Sequence, residues 1–133
     1  MIKTHLQKAV TTIHITLAIL WIYQGLVPKL IYRVIEEQIF WGALGFSEFL
    51  GLILIRLSGI VEIIFGILFI VLIKSKIIHY LNIVAMLFFC FIVIILYPHH
   101  YAAAFNPFVM NFAMAMLSVV ALQLLSTINS PES

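Results

Sequence analysis

Four long apolar segments account for most of this sequence and leave few residues for anything else. They cover about residues 10–27, 49–73, 77–97 and 108–128. Each is close to the roughly 20 residues that an α-helix needs to cross about 30 Å of hydrocarbon. The pattern therefore predicts an all-α fold, an integral membrane four-helix bundle that forms a single domain over residues 1–133.

The composition excludes several other classes of protein. Hydrophobic residues make up 65% of the chain, charged residues 9%, and the mean hydropathy is +1.22, whereas soluble domains carry about 25% charged residues. The net charge of +2, without a cluster of lysine and arginine, argues against a nucleic-acid partner. The single cysteine, Cys90, excludes an intrachain disulfide, a dithiol motif and a cysteine metal site.

The connections between the segments differ in kind. The short "KSK" at 74–76 predicts a tight turn and an antiparallel hairpin of the second and third helices. Residues 28–48 mix aromatic and charged side chains, which is typical of a segment that lies among lipid headgroups. No A-x-A-like cleavage site follows the first apolar run, so we expect that run to be a retained membrane helix and not a secretion signal.

Lysine and arginine are distributed unevenly between the two sides of the predicted bundle. With four spans, both termini share one side with the 74–76 turn, and that side carries Lys3, Lys8, Lys74 and Lys76. The positive-inside rule then places both termini in the cytoplasm. We expect a protein of the bacterial cytoplasmic (inner) membrane.

Glu62, in "RLSGIVEIIFGI", is a charged residue near the middle of the second span. A charge there costs about 2.5 to 3.5 kcal/mol on insertion scales. Glu48, Gly51, Gly59 and Gly66 fall on the same helix face, within a sector of about 80°. Two interpretations follow: Glu62 bonds a polar partner and fixes helix packing, or it belongs to a site for a proton, a cation or a polar headgroup.

The first helix carries small and polar residues on one face. That face contains Thr11, His14, Ala18, Trp21, Gly25 and Pro28, with Gln24 at its flank. Lys29 follows at the outer end, where its ammonium either snorkels to headgroups or reaches back toward Glu62 or Glu48.

The histidines have structural and metal-binding interpretations. His14 is either a hydrogen-bonded core residue or a haem ligand, and a bis-histidine pair requires His14 and His79 to face one another. His99 and His100 form either a pH-sensitive interfacial loop or part of a metal site with Glu36, Glu37 or Glu48, although no HExxH spacing supports a metal.

The polar stretch "HHYAAAFNPFVMN" at 99–111 precedes the last span. Asn106 before Pro107 predicts a capped helix start. Asn111 then shares a face with Met114, Ala115 and Ser118. There it either ties helices together or lines a site with Glu62 and Tyr97. Tyr97 lies at the end of the face of the third helix that carries Asn82.

Three stretches resemble the DoxX-like family of small four-helix membrane proteins, namely "WIYQGLVPKL" at 21–30, "GIVEIIFGI" at 59–67 and "FNPFVMNFAMAMLS" at 105–118. The resemblance follows the whole chain in order and spacing. The family pattern falls on Gly25, Pro28, Lys29, Gly59, Glu62, Gly66, Asn106, Pro107 and Asn111. It implies a bundle sometimes linked to redox chemistry, since the family takes its name from a subunit of a thiosulfate:quinone oxidoreductase.

Together these observations predict an accessory or ligand-binding membrane subunit. A redox complex is one kind of assembly to which such a subunit would belong. Its ligand would be a quinone, a lipid or another small amphipathic molecule, bound by Glu62, Lys29, Tyr97, Asn106, Asn111, Trp21 and Gln24. The alternatives are a proton- or ion-coupled transporter that uses Glu62, and a purely structural subunit. The sequence shows no catalytic constellation and identifies no cofactor; a homo-oligomer, a partner subunit and membrane lipid are the expected partners.

Overall fold

The computed structural model describes residues 1–130, apart from the side chain of His100. Over this range all regular structure is helical: α1 (Ile2–Gly25), a π-helix (Leu26–Ile31), α2 (Ile35–Ala43), α3 (Glu48–Val71), α4 (Ile77–Leu96), a 3-10 helix (Pro98–Ala102) and α5 (Pro107–Asn129). Four helical stretches in this range are long and apolar enough to cross a membrane: Ile2–Ile31, Glu48–Val71, Ile77–Leu96 and Pro107–Asn129. The predicted all-α class and the four spans are confirmed.

The first helix is longer at both ends than the apolar segment predicted. It begins at Ile2 rather than near residue 10, because hydropathy marks only residues suited to lipid, while polar residues such as Gln7 and Lys8 are good helix formers. Beyond Gly25 the chain continues as a π-helix through Pro28. Pro28 has no N–H to donate, and the wider turn adapts to that loss.

The predicted headgroup segment contains a short helix, α2, with sharp boundaries. Glu36 and Glu37 lie in its first turn, where carboxylates favour the positive end of the helix dipole. It ends at Ala43, and Gly45 follows two residues later with a φ of +87°, the left-handed conformation that glycine adopts without strain. The Gly45 N–H donates to Gly42 O and the Phe46 N–H to Trp41 O, the pattern of a Schellman helix end.

The chain divides into two compact units. We call Thr16–Val71 the central unit, and Met1–Ile15 with Leu72–Ser133 the terminal unit, of which residues 131–133 lie outside the described part. Helix α1 contributes its first half to the terminal unit and its second half to the central unit.

In the central unit, small residues let α1 and α3 approach backbone to backbone. A Cβ added at Gly59 would lie 2.7 Å from Gly25 O, and one added at Gly66 would lie 2.9 Å from Ala18 O. Both pairs are seven residues apart on their own helix, so they form a continuous seam of close contact. The predicted glycine face of α3 is confirmed at Gly51, Gly59 and Gly66, whereas Glu48 is exposed.

In the terminal unit, α4 packs along α5. The start of α5 is capped as predicted: Asn106 Oδ1 accepts a hydrogen bond from the Val109 N–H at 3.3 Å, and Pro107 occupies the first turn. The chain turns at the predicted "KSK", where the Ser75 N–H donates to Leu72 O at 2.9 Å.

We expect Gly59→Ala to lower the free energy of unfolding by about 1 to 3 kcal/mol, since the added methyl group would push α1 away from α3. Unfolding in mixed detergent micelles measures the change. Gly42→Ala is the matched control, because no atom lies within 4 Å of its added Cβ. Equal effects of the two substitutions would contradict a close seam.

Candidate functional site

Lys29 and Glu62 form a buried ion pair in the central unit. Lys29 Nζ lies 2.5 Å from Glu62 Oε1, and each side chain is 8% exposed. The Lys29 ammonium therefore contacts the carboxylate of Glu62 and does not lie at the surface, which is the second of the two alternatives for this residue. Burying one such charge alone costs several kcal/mol, so each group depends on the other.

Backbone geometry on both helices positions this pair. The π-helix carries Lys29, which is the buried residue of that segment. On α3, Gly59 lies one turn before Glu62, and its missing side chain leaves room for Lys29, since an added Cβ at Gly59 would lie 3.1 Å from Lys29 Cβ. The glycine seam and the π turn therefore bring the two charged side chains together.

The pair is incompletely satisfied. Glu62 Oε2 is buried and has no hydrogen-bond partner among the described residues. Glu37 lies on the other side of the ammonium, with its Oε1 3.6 Å from Lys29 Nζ and its side chain 23% exposed. Lys29 thus connects a buried carboxylate with a partly exposed one, and a free acceptor atom remains inside the protein.

Two further predicted site residues belong to the central unit. The Trp21 ring is buried and meets Phe65 edge to face, with ring centroids 4.8 Å apart. Gln24 is half-buried. A second tryptophan, Trp41, has a buried indole Nε1 without a hydrogen-bond partner in the described chain, and no motif around it predicts this.

The remaining predicted site residues lie in the terminal unit. Asn111 is buried on α5 with Met114 and Ser118. Tyr97 ends α4 and is half-buried. The amide of Asn106 serves the helix cap and also donates to Ala103 O at 3.1 Å, so its observed contacts are structural.

A second polar cluster occupies the core of the terminal unit. His14 Nε2 lies 2.8 Å from His79 Nε2, and His79 Nδ1 lies 3.1 Å from Ser118 Oγ. Asn82 Nδ2 donates to Ser118 Oγ at 2.8 Å and to Met114 O at 3.0 Å. The four side chains are fully buried. We call His14, His79, Asn82 and Ser118 the histidine cluster.

The geometry of the histidine cluster fits a hydrogen bond and not haem ligation. Iron or zinc bonds an imidazole nitrogen at about 2.0 Å, so an arrangement in which two imidazoles bind one metal holds their nitrogens at least about 3.3 Å apart for tetrahedral ligands, and about 4 Å apart for ligands on opposite faces of a haem. His14 and His79 are too close for that arrangement. No three His, Cys, Asp or Glu side chains in the described chain are grouped to hold a metal; His99 is exposed, and the side chain of His100 lies outside the described residues.

The sequence does not predict the contacts that complete the Lys29–Glu62 pair and the histidine cluster. The sequence indicates a helix face for Asn82 and another for Ser118, and nothing in their spacing shows that Ser118 contacts both Asn82 and His79. Tyr101 is another example: its hydroxyl donates to Cys90 O at 2.5 Å, and burial, followed by the neighbouring Cys90, raises the pKa of Tyr101 above its ordinary value. Contacts between helices depend on their relative register, which hydropathy does not encode.

A comparison of the sequence with known families agrees with this layout. The sequence model of the DoxX-like family matches residues 18–119. No curated protein and no solved structure matches the chain.

We expect Ser118→Ala to lower the free energy of unfolding by about 1 to 2 kcal/mol, because it removes the hydroxyl that both His79 and Asn82 contact. The matched control is Ser126→Ala on the same helix, where the hydroxyl accepts from Lys76 in an exposed hydrogen bond. Denaturant midpoints in detergent micelles compare the two. A smaller loss for Ser118→Ala than for the control would show that the histidine cluster does not stabilise the fold.

Proposed function

This chain belongs to the DoxX-like family, and on that premise we propose that it is an integral membrane protein that binds a small amphipathic ligand, of the quinone or lipid class, at Lys29 and Glu62. The observation that carries the proposal is the buried Lys29–Glu62 pair with its unpartnered Glu62 Oε2. In this function the chain acts as an accessory subunit of a larger membrane complex, a redox complex in particular.

The unpartnered oxygen favours binding over a purely structural role. A charge pair that only fixes helix packing gains from satisfying both carboxylate oxygens, since a buried acceptor without a donor costs about 1 to 3 kcal/mol. A ligand hydroxyl would supply the missing donor.

The class of ligand follows from where the pair lies. Both charged residues belong to membrane-spanning helices, so a ligand reaches them from lipid. Quinones and lipids combine a hydrogen-bonding head with an apolar tail, which suits a polar site on apolar helices. Trp21 and Gln24 supply the aromatic and amide contacts of this proposed site.

Several finer predictions belong to the same proposal. We keep Tyr97, Asn106 and Asn111 as predicted ligand-binding residues. We also keep the orientation with both termini in the cytoplasm, the bacterial inner membrane as the location, and a homo-oligomer or partner subunit as the assembly.

We expect Glu62→Gln to weaken the binding of decylubiquinol, the reduced quinone whose hydroxyl donates to Glu62 Oε2 in this proposal, about tenfold or more, because the neutral amide replaces the charged acceptor. The purified full-length protein contains two tryptophans, Trp21 and Trp41, and quenching of their fluorescence measures the affinity. Glu36→Gln, an exposed carboxylate in the first turn of α2, is the matched control and leaves binding unchanged.

A double substitution separates binding from folding. Lys29→Met leaves Glu62 as a buried unpaired charge and lowers the free energy of unfolding by about 3 to 5 kcal/mol, whereas Lys29→Met with Glu62→Met restores stability. We expect the stable double variant to lose decylubiquinol binding. Wild-type affinity in that variant would overturn the ligand site and leave the structural role.

A second candidate function, proton-coupled transport, is favoured by the position of Glu37. The three groups Glu62, Lys29 and Glu37 form a row from a buried to a partly exposed carboxylate, as a proton pathway into the helices requires.

We expect Glu37→Gln to reduce proton uptake into proteoliposomes if this second function operates, while decylubiquinol binding is kept. Pyranine fluorescence measures the uptake under an imposed membrane potential. Glu36→Gln again serves as the control, and wild-type uptake by the Glu37→Gln variant would exclude this route.

A further inference from the structure

A cavity in the terminal unit combines cationic, amide and apolar side chains. Its volume is about 540 Å³, within the range of about 300 to 1,000 Å³ typical of small-molecule sites. Lys3 and Lys74 are exposed and stand at its rim, and the buried Val10 and Leu125 form its floor. We propose that this cavity binds an anionic phospholipid, with the phosphate between Lys3 and Lys74.

The charge of the cavity selects an anion. Neither Lys3 nor Lys74 forms an ion pair within residues 1–130, and the lining residues that belong to this range include no carboxylate. The side-chain amides of Gln7 and Asn129 add neutral donors beside the two ammonium groups. Two cations with amide donors and no competing acid complement a phosphate.

The position of the cavity at the ends of the helices favours a lipid as the source of that phosphate. Lys3 lies in the first turn of α1, Lys74 follows the end of α3, and Asn129 is the last residue of α5. All three therefore mark ends of membrane-length helices, the level at which headgroups lie. A soluble phosphate would use the rim alone.

The apolar floor of the cavity provides a contact surface for the apolar part of the phospholipid. Val10 and Leu125 are 2% and 4% exposed, and Ile73 and Ile128 complete the lining. Such a surface suits the glycerol backbone and first acyl carbons of a lipid. None of the lining residues takes part in the Lys29–Glu62 site, so this proposal is independent of the one above.

The test compares short-chain lipids that differ in charge. Dioctanoyl-phosphatidylglycerol, dioctanoyl-phosphatidylcholine and inorganic phosphate are titrated separately into the detergent-purified full-length protein, and microscale thermophoresis gives the affinities. We expect phosphatidylglycerol to bind at least about tenfold more tightly than the other two probes.

Matched double variants locate the site. Lys3→Gln with Lys74→Gln is expected to weaken phosphatidylglycerol binding about tenfold or more. Lys8→Gln with Lys76→Gln removes the same charge outside the cavity and is expected to change it less than about threefold. Equal losses in both double variants indicate a diffuse charge effect and overturn the proposal.

Three further measurements test whether the ligand is a lipid and whether the variants fold. Inorganic phosphate binding as tightly as phosphatidylglycerol, with the same loss in Lys3→Gln/Lys74→Gln, would assign the rim to a soluble anion and overturn the lipid. Circular dichroism verifies that both double variants fold, which is expected because Lys3, Lys8 and Lys74 are exposed and Lys76 is half-buried. A Leu125→Asn variant tests the floor separately, and unchanged affinity there would exclude an acyl contact.

Discussion

The contact between Lys29 and Glu62 is the constraint on which the arrangement of the central unit depends. Either charge alone inside a membrane helix is unfavourable by several kcal/mol, and the two become tolerable only when their side chains touch. That requirement explains why glycines stand where α1 meets α3, and why the helix carrying Lys29 changes its geometry at Pro28. Local features that look like helix defects bring an ammonium to a carboxylate.

The two buried polar clusters differ in how completely they are satisfied, and this difference separates their roles. In the histidine cluster, His79 uses both ring nitrogens, and Ser118 joins His79 to Asn82. A closed network of this kind specifies how helices pack. The ion pair keeps one buried acceptor free at Glu62 Oε2. We therefore propose a structural role for the histidine cluster and ligand binding at the ion pair.

Periodicity and end signals predicted much of the fold, because they depend on residues close in sequence. The glycine face of α3 and the Asn106 cap are examples, and both are confirmed. Lys29 shows the limit: its partner lies 33 residues away, and spacing alone favours an ammonium that snorkels to the headgroups over one that reaches Glu62. The contact between His14 and His79 likewise joins residues 65 apart. Such pairs require the rotation and register of whole helices, which side-chain packing determines.

The π turn at Leu26–Ile31 also determines the direction, around the helix axis, of the side chains that follow on that helix. Each residue of an α-helix advances the side-chain direction by about 100°, and a π turn accommodates one residue more than an α turn. Removing one residue there would restore the regular pitch and swing Lys29 by roughly a quarter of a revolution, off the glycine seam. The segment thus behaves as a single-residue insertion that the helix absorbs, and the insertion itself directs the only described buried cation toward its carboxylate.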